Sequence, residues 1–262
     1  MSDLPHYELH PGTGPYLMLV HGMLSSRAQW MLNLAALGEV CRPVTVELWA
    51  HGRSPSPTDP AAYAPDAYVA AFDRVREAVG AERWFVCGQS FGAALSLRYT
   101  LTYPDRVIAQ AFTNSASALT DEEAQRVYRE TVKERADSVR ADGLAALEAL
   151  RIHPRHARFL PEEVKAALVA DCAEADPEGF ALTFTYASPH LSVYDRIAEN
   201  RAPTLYVHGN RERRLSHMPE LVERVVPNVE VVTTPGGHAV NIEAADEFNR
   251  AMVDFIRRHT PS

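Results

Sequence analysis

The chain has 262 residues, 46% of them hydrophobic and 23% charged, a composition that builds one large globular core without requiring a second. A formal net charge of −8 and a pI near 5.8 argue against nucleic acid or an anionic membrane as partner. Cys41, Cys87 and Cys172 are far apart and form no C-x-x-C pair, no leader-like N-terminus is written, and no apolar run reaches membrane-spanning length; a reduced cytoplasmic setting is expected, with neither a disulfide framework nor a zinc site.

The first clear element is the run Tyr16 to Val20, bounded by Gly14-Pro15 and His21-Gly22, with a weakly written edge strand at Tyr7 to His10 before it. Ser25 or Ser26 is placed to cap a helix through Trp30 and Leu34 to Leu37. The run Pro43 to Leu48 is the next strand, and Pro65 or Asp66 opens a helix with Val69, Phe72, Val75 and Val79 on one stripe. Trp84 to Cys87, a helix from Ser90 to Thr102 halted by Pro104, and Val107 to Phe112 continue the alternation. Between residues 115 and 200 the alternation stops. Asp121 to Asp142, Gly143 to Leu150 and Pro161 to Ala173 all read as helices, with no strand between them. Strands return at Thr204 to Val207 and Val229 to Thr233, and a helix from Glu243 to His259 closes the chain.

Uninterrupted apolar strands between helices imply an α/β fold, a mostly parallel, doubly wound sheet covered on both faces. The expected division is a core of residues 1–114 and 201–262 and a helical cap of residues 115–200. Such an insertion would lie over the C-terminal edge of the sheet, where open α/β sheets place their ligands.

Gly88-Gln89-Ser90-Phe91-Gly92 sits between a strand and a helix, the context of a nucleophile elbow. A side chain at 88 or 92 would crowd the helix against the strand. Ser90 needs a general base, and His238 stands just past the last strand in Gly236-Gly237-His238. The acid expected between them in chain order is Glu212, in the loop after Thr204 to Val207, among Arg211, Arg213 and Arg214; the plainer reading is a surface charge among arginines. Asn114 occupies another rim position but carries no charge, and Glu243 is expected in the first turn of the last helix, favourable to its dipole. The backbone N–H groups of Phe91 and Met23 are the expected oxyanion donors.

Taken together, Val20-His21-Gly22, His51-Gly52-Arg53-Ser54, the elbow, His208-Gly209-x-x-Glu212 and Gly236-Gly237-His238 resemble the α/β-hydrolase superfamily in order and spacing. The resemblance implies an α/β-hydrolase fold with a helical cap. It also implies Ser90 as nucleophile, Glu212 as acid, His238 as base, and oxyanion donors at Met23 and Phe91. Two departures stand out. The acid is Glu where the family usually has Asp, and Glu47 precedes His51-Gly52 where an Asp is usual. The stretch Arg135 to Leu144 resembles the cap of enol-lactonase-type members.

The function expected is cofactor-independent hydrolysis of a small-molecule carboxylic ester or lactone through a Ser90 acyl-enzyme. Carbon–carbon bond hydrolysis of ring-cleavage products, a lyase or perhydrolase on the same triad, and a non-catalytic ligand receptor are the other classes. No H-e-x-x-H, clustered Cys/His, G-x-G-x-x-G or Walker pattern calls for a metal or nucleotide cofactor. Trp49, Leu119, Phe184, Tyr186 and His190 are candidate substrate contacts, with Trp30 and Phe91 as further pocket linings. His21 and His51 read as structural, His153 and His156 as solvated. Nothing in the pattern speaks to oligomeric state.

Overall fold

The computed structural model describes residues 4–261. Seven strands form one sheet: β1 (Tyr7–Leu9), β2 (Tyr16–Val20), β3 (Arg42–Val46), β4 (Trp84–Gly88), β5 (Val107–Thr113), β6 (Thr204–Gly209) and β7 (Val229–Thr234). Their spatial order is β1-β3-β2-β4-β5-β6-β7, with β1 antiparallel to β3 and every other pair parallel. The expected α/β class and doubly wound, mostly parallel sheet are what the chain forms.

The helices are α1 (Leu34–Gly38), α2 (Pro65–Ala78), α3 (Phe91–Thr102), α4 (Glu122–Asp142), α5 (Leu144–Ala149), α6 (Glu162–Ala173), α7 (Pro177–Leu182), α8 (Met218–Val225), α9 (Val240–Glu243) and α10 (Ala245–His259). The sheet is buried on both sides. Leu17, Leu19, Phe85, Cys87, Leu205 and Val207 pack towards α1 and α10, while Met18, Val20, Val86, Phe112 and Tyr206 pack towards α2, α3 and α8. Successive residues alternate between two apolar layers, so each strand reads as a continuous apolar run. Phe248, Met252, Phe255 and Ile256 form the buried stripe of α10, each contributing about 1.5–3 kcal/mol by leaving water.

Two helices differ from their sequence reading. Ser26 does accept a hydrogen bond from the Ala28 N–H, but the helix it starts is a 3-10 turn, Arg27–Trp30, separate from α1. The final helix is broken at Ala244, whose non-helical backbone (φ −137°, ψ 53°) separates α9 from α10. Between β5 and β6 the described chain forms α4, α5, α6 and α7 and no strand. Asp121 caps α4 through the Ala124 N–H. A π-helical turn, Thr183–Ala187, continues α7 and had no signal in the sequence pattern. None of the described helices is long and apolar enough to cross a membrane.

Candidate active site

Ser90 lies between β4 and α3 with φ 53° and ψ −111°, a left-handed conformation that costs a non-glycine residue about 1–3 kcal/mol. The turn is pinned by Gln89 N–H to Val20 O (3.0 Å) and Ala93 N–H to Ser90 O (3.1 Å). The flanking glycines are dictated by contact. A Cβ on Gly88 would overlap the Gly92 carbonyl, and one on Gly92 would overlap the carbonyl oxygen of Val20. The helix therefore starts against the neighbouring strand, and the Ser90 side chain is left at the sheet's C-terminal edge.

Two further loops reach the same edge. His238 follows β7, and its Nε2 lies 2.9 Å from Ser90 Oγ. Its Nδ1 lies 2.5 Å from Glu212 Oε2, in the loop after β6. These loops meet closely because Gly209 has no side chain; a Cβ there would overlap the Gly237 carbonyl. The Glu212 side chain is 8% exposed, against 40% for His238. Burial by itself would raise the Glu212 carboxyl pKa. The hydrogen bond from His238, that residue's charge and the Arg214 guanidinium at 2.9 Å outweigh burial and bring it down to about 2. The longer side chain thus spans the distance, with one oxygen on His238 and the other on Arg214.

The loop after β2 supplies the remaining wall. A Cβ on Gly22 would lie 3.2 Å from Ser90 Cβ, so this loop runs directly against the serine. Gly22 N–H donates to Gln29 Oε1 (3.1 Å) and Leu24 N–H to His51 Nε2 (3.3 Å). The N–H groups of Met23, between them, and of Phe91 have no acceptor among the described residues, and both residues line the cleft at Ser90. Two buried histidines hold this loop. His21 Nε2 accepts from Leu48 N–H and His51 Nε2 from Leu24 N–H, while each Nδ1 lies against a backbone carbonyl. Burial lowers both pKa values, consistent with neutral rings that accept on Nε2. Glu47 is fully buried and accepts from the backbone N–H groups of Arg27 and Arg53.

Three polar residues whose part here the sequence did not reveal, Gln89, Asn114 and Glu243, knit the rim together. Gln89, inside the elbow, donates from Nε2 to the His238 carbonyl (3.0 Å). Asn114 is fully buried at the end of β5; its Oδ1 accepts from Gly209 N–H, and its Nδ2 donates to the carbonyls of Gly209 and Gly237. Glu243 closes the short α9 instead of opening the last helix. Its carboxylate turns back to accept from Gly237 N–H (3.1 Å) and Ala239 N–H (3.3 Å) and pairs with Arg211. The only sequence signal was an uncharged or acidic residue beside a rim loop, which does not name its distant partner.

Ser90 opens into a cleft of about 600 Å³, walled on the far side by Tyr128, Arg135, Ile152, Phe159, Leu168 and Phe184. Of the five candidate substrate contacts, Phe184 lines it. Trp49 and Leu119 do not: both are buried in the apolar core, Trp49 with its ring 6.3 Å from that of Tyr68. Tyr186 and His190 are exposed outside it, the His190 carbonyl accepting from Arg98. Trp30 is likewise core. His153 is not solvated. It is 5% exposed, lines the cleft and accepts from the Arg155 N–H through Nδ1. His156 is exposed, with Nε2 at the Glu148 carbonyl. A second cleft, of about 510 Å³ between the end of α3 and residues 198–201, shares no residue with the first. Among the described residues no group of three or more His, Cys, Asp or Glu side chains is arranged to hold a metal ion, and all three cysteines are buried thiols.

Residues 15–245 match the sequence profile of the alpha/beta hydrolase fold family. Over 255 residues the chain is 22% identical to a putative 2-succinyl-6-hydroxy-2,4-cyclohexadiene-1-carboxylate synthase of Bacillus subtilis (strain 168), covering 94% of this chain and 92% of that one. Among solved structures it superposes on MenH from S. aureus with a TM-score of 0.84 at 19% identity, covering 98% and 99% of the two chains. It also superposes on the enol-lactonase from Burkholderia xenovorans LB400, with a TM-score of 0.78 at 22% identity and 96% of each chain covered. At such identities the structural likeness speaks to the fold.

Proposed function

The chain belongs to the alpha/beta hydrolase family, and we propose that within it this protein is a cofactor-independent serine hydrolase of carboxylic esters or lactones. The observation that carries the reading is the continuous hydrogen-bonded line from Ser90 Oγ through His238 to Glu212, set at the floor of a cleft. Ser90 Oγ attacks the carbonyl carbon as His238 Nε2 takes the hydroxyl proton. The oxyanion forms against the Met23 and Phe91 N–H groups, each such donor being worth about 3 kcal/mol in the transition state. Collapse breaks the acyl–oxygen bond, and His238 gives its proton to the departing alkoxide, which in a lactone stays tethered to the acyl group. Water then adds to the acyl-enzyme, losing its proton to His238, and the acid leaves as that proton returns to Ser90. Glu212 holds the Nδ1–H tautomer and stabilises the imidazolium.

The test is an ester and lactone panel run on wild type and Ser90→Ala together, with mass spectrometry of the peptide bearing Ser90. Wild-type turnover, an acyl adduct on that peptide and a loss of about 10⁴-fold or more in Ser90→Ala are expected. A relative named a synthase directs attention to a lyase-type use of the same groups. Turnover of a substrate with no acyl adduct and with activity retained in Ser90→Ala would replace the esterase reading with that one.

A further inference from the structure

The far wall of the cleft carries unbalanced positive charge on a protein that is acidic overall. Helix α4 is rich in acids, and three of its outward cations use them, exposed Arg129 having no carboxylate partner among the described residues. Arg126 pairs with Glu123 and Glu130, Lys133 with Asp137, and Arg140 with Asp137 and Glu178. Arg135 is the unpaired cation of α4 that lines the cleft. The residues three and four places from it are Thr131, Val132, Ser138 and Val139, so no i±3 or i±4 acid is within reach. It lies on the inward stripe with Val132, Ala136 and Val139, is half-buried, and lines the cleft next to Tyr128. Among the described residues no carboxylate pairs with it. A half-buried guanidinium with no counter-charge of its own is free to pair with an anion that enters the cleft.

The opposite lip repeats the pattern. Arg151 and Arg158 line the cleft and have no carboxylate partner among the described residues, whereas Arg155, between them and outside the lining, pairs with Glu148. The two acids in the lining are already engaged: Glu212 by His238 and Arg214, Glu243 by Arg211 and two backbone N–H groups. His153, buried in the same lip, is held towards the neutral form by burial, so the positive charge of this lip comes from its arginines.

We propose that the cleft selects esters or lactones that carry a second, negatively charged oxygen-acid group, a carboxylate or a phosphate, bound by Arg135 with Arg151 and Arg158 at the mouth. This rests on the serine-hydrolase reading and gives it a substrate class. Guanidinium forks match either oxyanion in two-point contact, and the apolar side chains of Ile152, Phe159, Leu168 and Phe184 receive the carbon skeleton between the charge and the scissile carbonyl.

Mono-p-nitrophenyl glutarate and p-nitrophenyl valerate have the same acyl length and differ in charge. The expected ratio of kcat/KM, charged over neutral, is about tenfold or more in wild type, falling as salt is added. It collapses towards one in Arg135→Gln and partly returns in Arg135→Lys. Arg129→Gln, which removes the same charge from an exposed position of α4 outside the cleft, leaves the ratio where it was. A wild-type ratio of one or less, or a ratio that Arg135→Gln does not move, overturns the proposal while leaving ester hydrolysis intact. If neither ester is turned over, the hydrolase reading fails separately. Calorimetric titration of Ser90→Ala with glutarate and with phenyl phosphate then decides the anion site and separates carboxylate from phosphate. Binding abolished by adding Arg135→Gln supports the site, and binding of neither anion overturns it.

Discussion

The rim around Ser90 and the helices between β5 and β6 are held by opposite means. At the rim, backbone touches backbone. Gly88, Gly92, Gly209 and Gly22 permit approaches that a Cβ would block, and single amides or carboxylates from Gln89, Asn114 and Glu243 tie loops together. Across the cleft, the 21-residue α4 buries only Val132, Ala136 and Val139, and its remaining surface is largely charged, apart from Val127 and the cleft-lining Tyr128. Those three side chains join a modest apolar cluster with Leu24, Ala50, Phe180 and Phe184. A wall of side chains packed on side chains tolerates exchange; loops packed on carbonyl oxygens do not. On the proposed reading, bond breaking falls to the tightly constrained part of the molecule, and substrate choice to the part free to vary.

The sharpest probe of that division is Glu212→Gln, which keeps the shape of the rim and removes the charge behind His238. A loss in kcat of about 10³–10⁴-fold with little change in KM is expected from steady-state kinetics. The same variant has a signature in stability. Folded Glu212 stays ionised down to about pH 2, below the ordinary 4.5, so its stabilisation is present above pH 4.5 and disappears as pH falls towards 2. Glu212→Gln flattens that part of the curve of urea midpoint against pH, and an unchanged slope would show that the carboxylate contributes no such linkage.

Gly92→Ala comes next. Its Cβ would meet the carbonyls of Val20 and His21, both backbone, and a cost of about 3 kcal/mol in urea unfolding is expected together with a fall in kcat. Val139→Ala, buried in the wall, has the smallest effect: about 1 kcal/mol of stability and a change in KM across an ester series at nearly constant kcat. If Val139→Ala lowered kcat as much as Gly92→Ala, the separation of chemistry from selection would fail.

The rim was legible in the sequence because its signals are local. The apolar runs Tyr16 to Val20 and Trp84 to Cys87 are strands buried on both faces, and the glycines at 88 and 92 mark contacts within a few residues of the serine they flank. Asn114 and Gln89 escaped because each acts on chain 95 or 149 positions away, a distance that no local pattern encodes. Trp49 and Leu119 were misplaced for a related reason: an apolar residue near a strand end suits core and pocket equally, and packing with Tyr68 and its neighbours put them in the core. Burial of His153 depended on how the segment after α5 folds against α6, which the surrounding arginines concealed.

The amide of Gln89 has a consequence in time as well as in space. It touches the loop after β2 on one side and the His238 carbonyl on the other, joining a segment translated before the elbow to one translated long after it. An emerging chain can carry the elbow and its serine long before it carries a base, since 148 residues separate Ser90 from His238. Contacts of such long range are slow to form, because the entropy of closing the intervening loop must be met first. If Ser90 is the proposed nucleophile, its reactivity switches on with docking of the last strand's loop, and labelling of the serine by an organophosphonate becomes a clock for complete assembly.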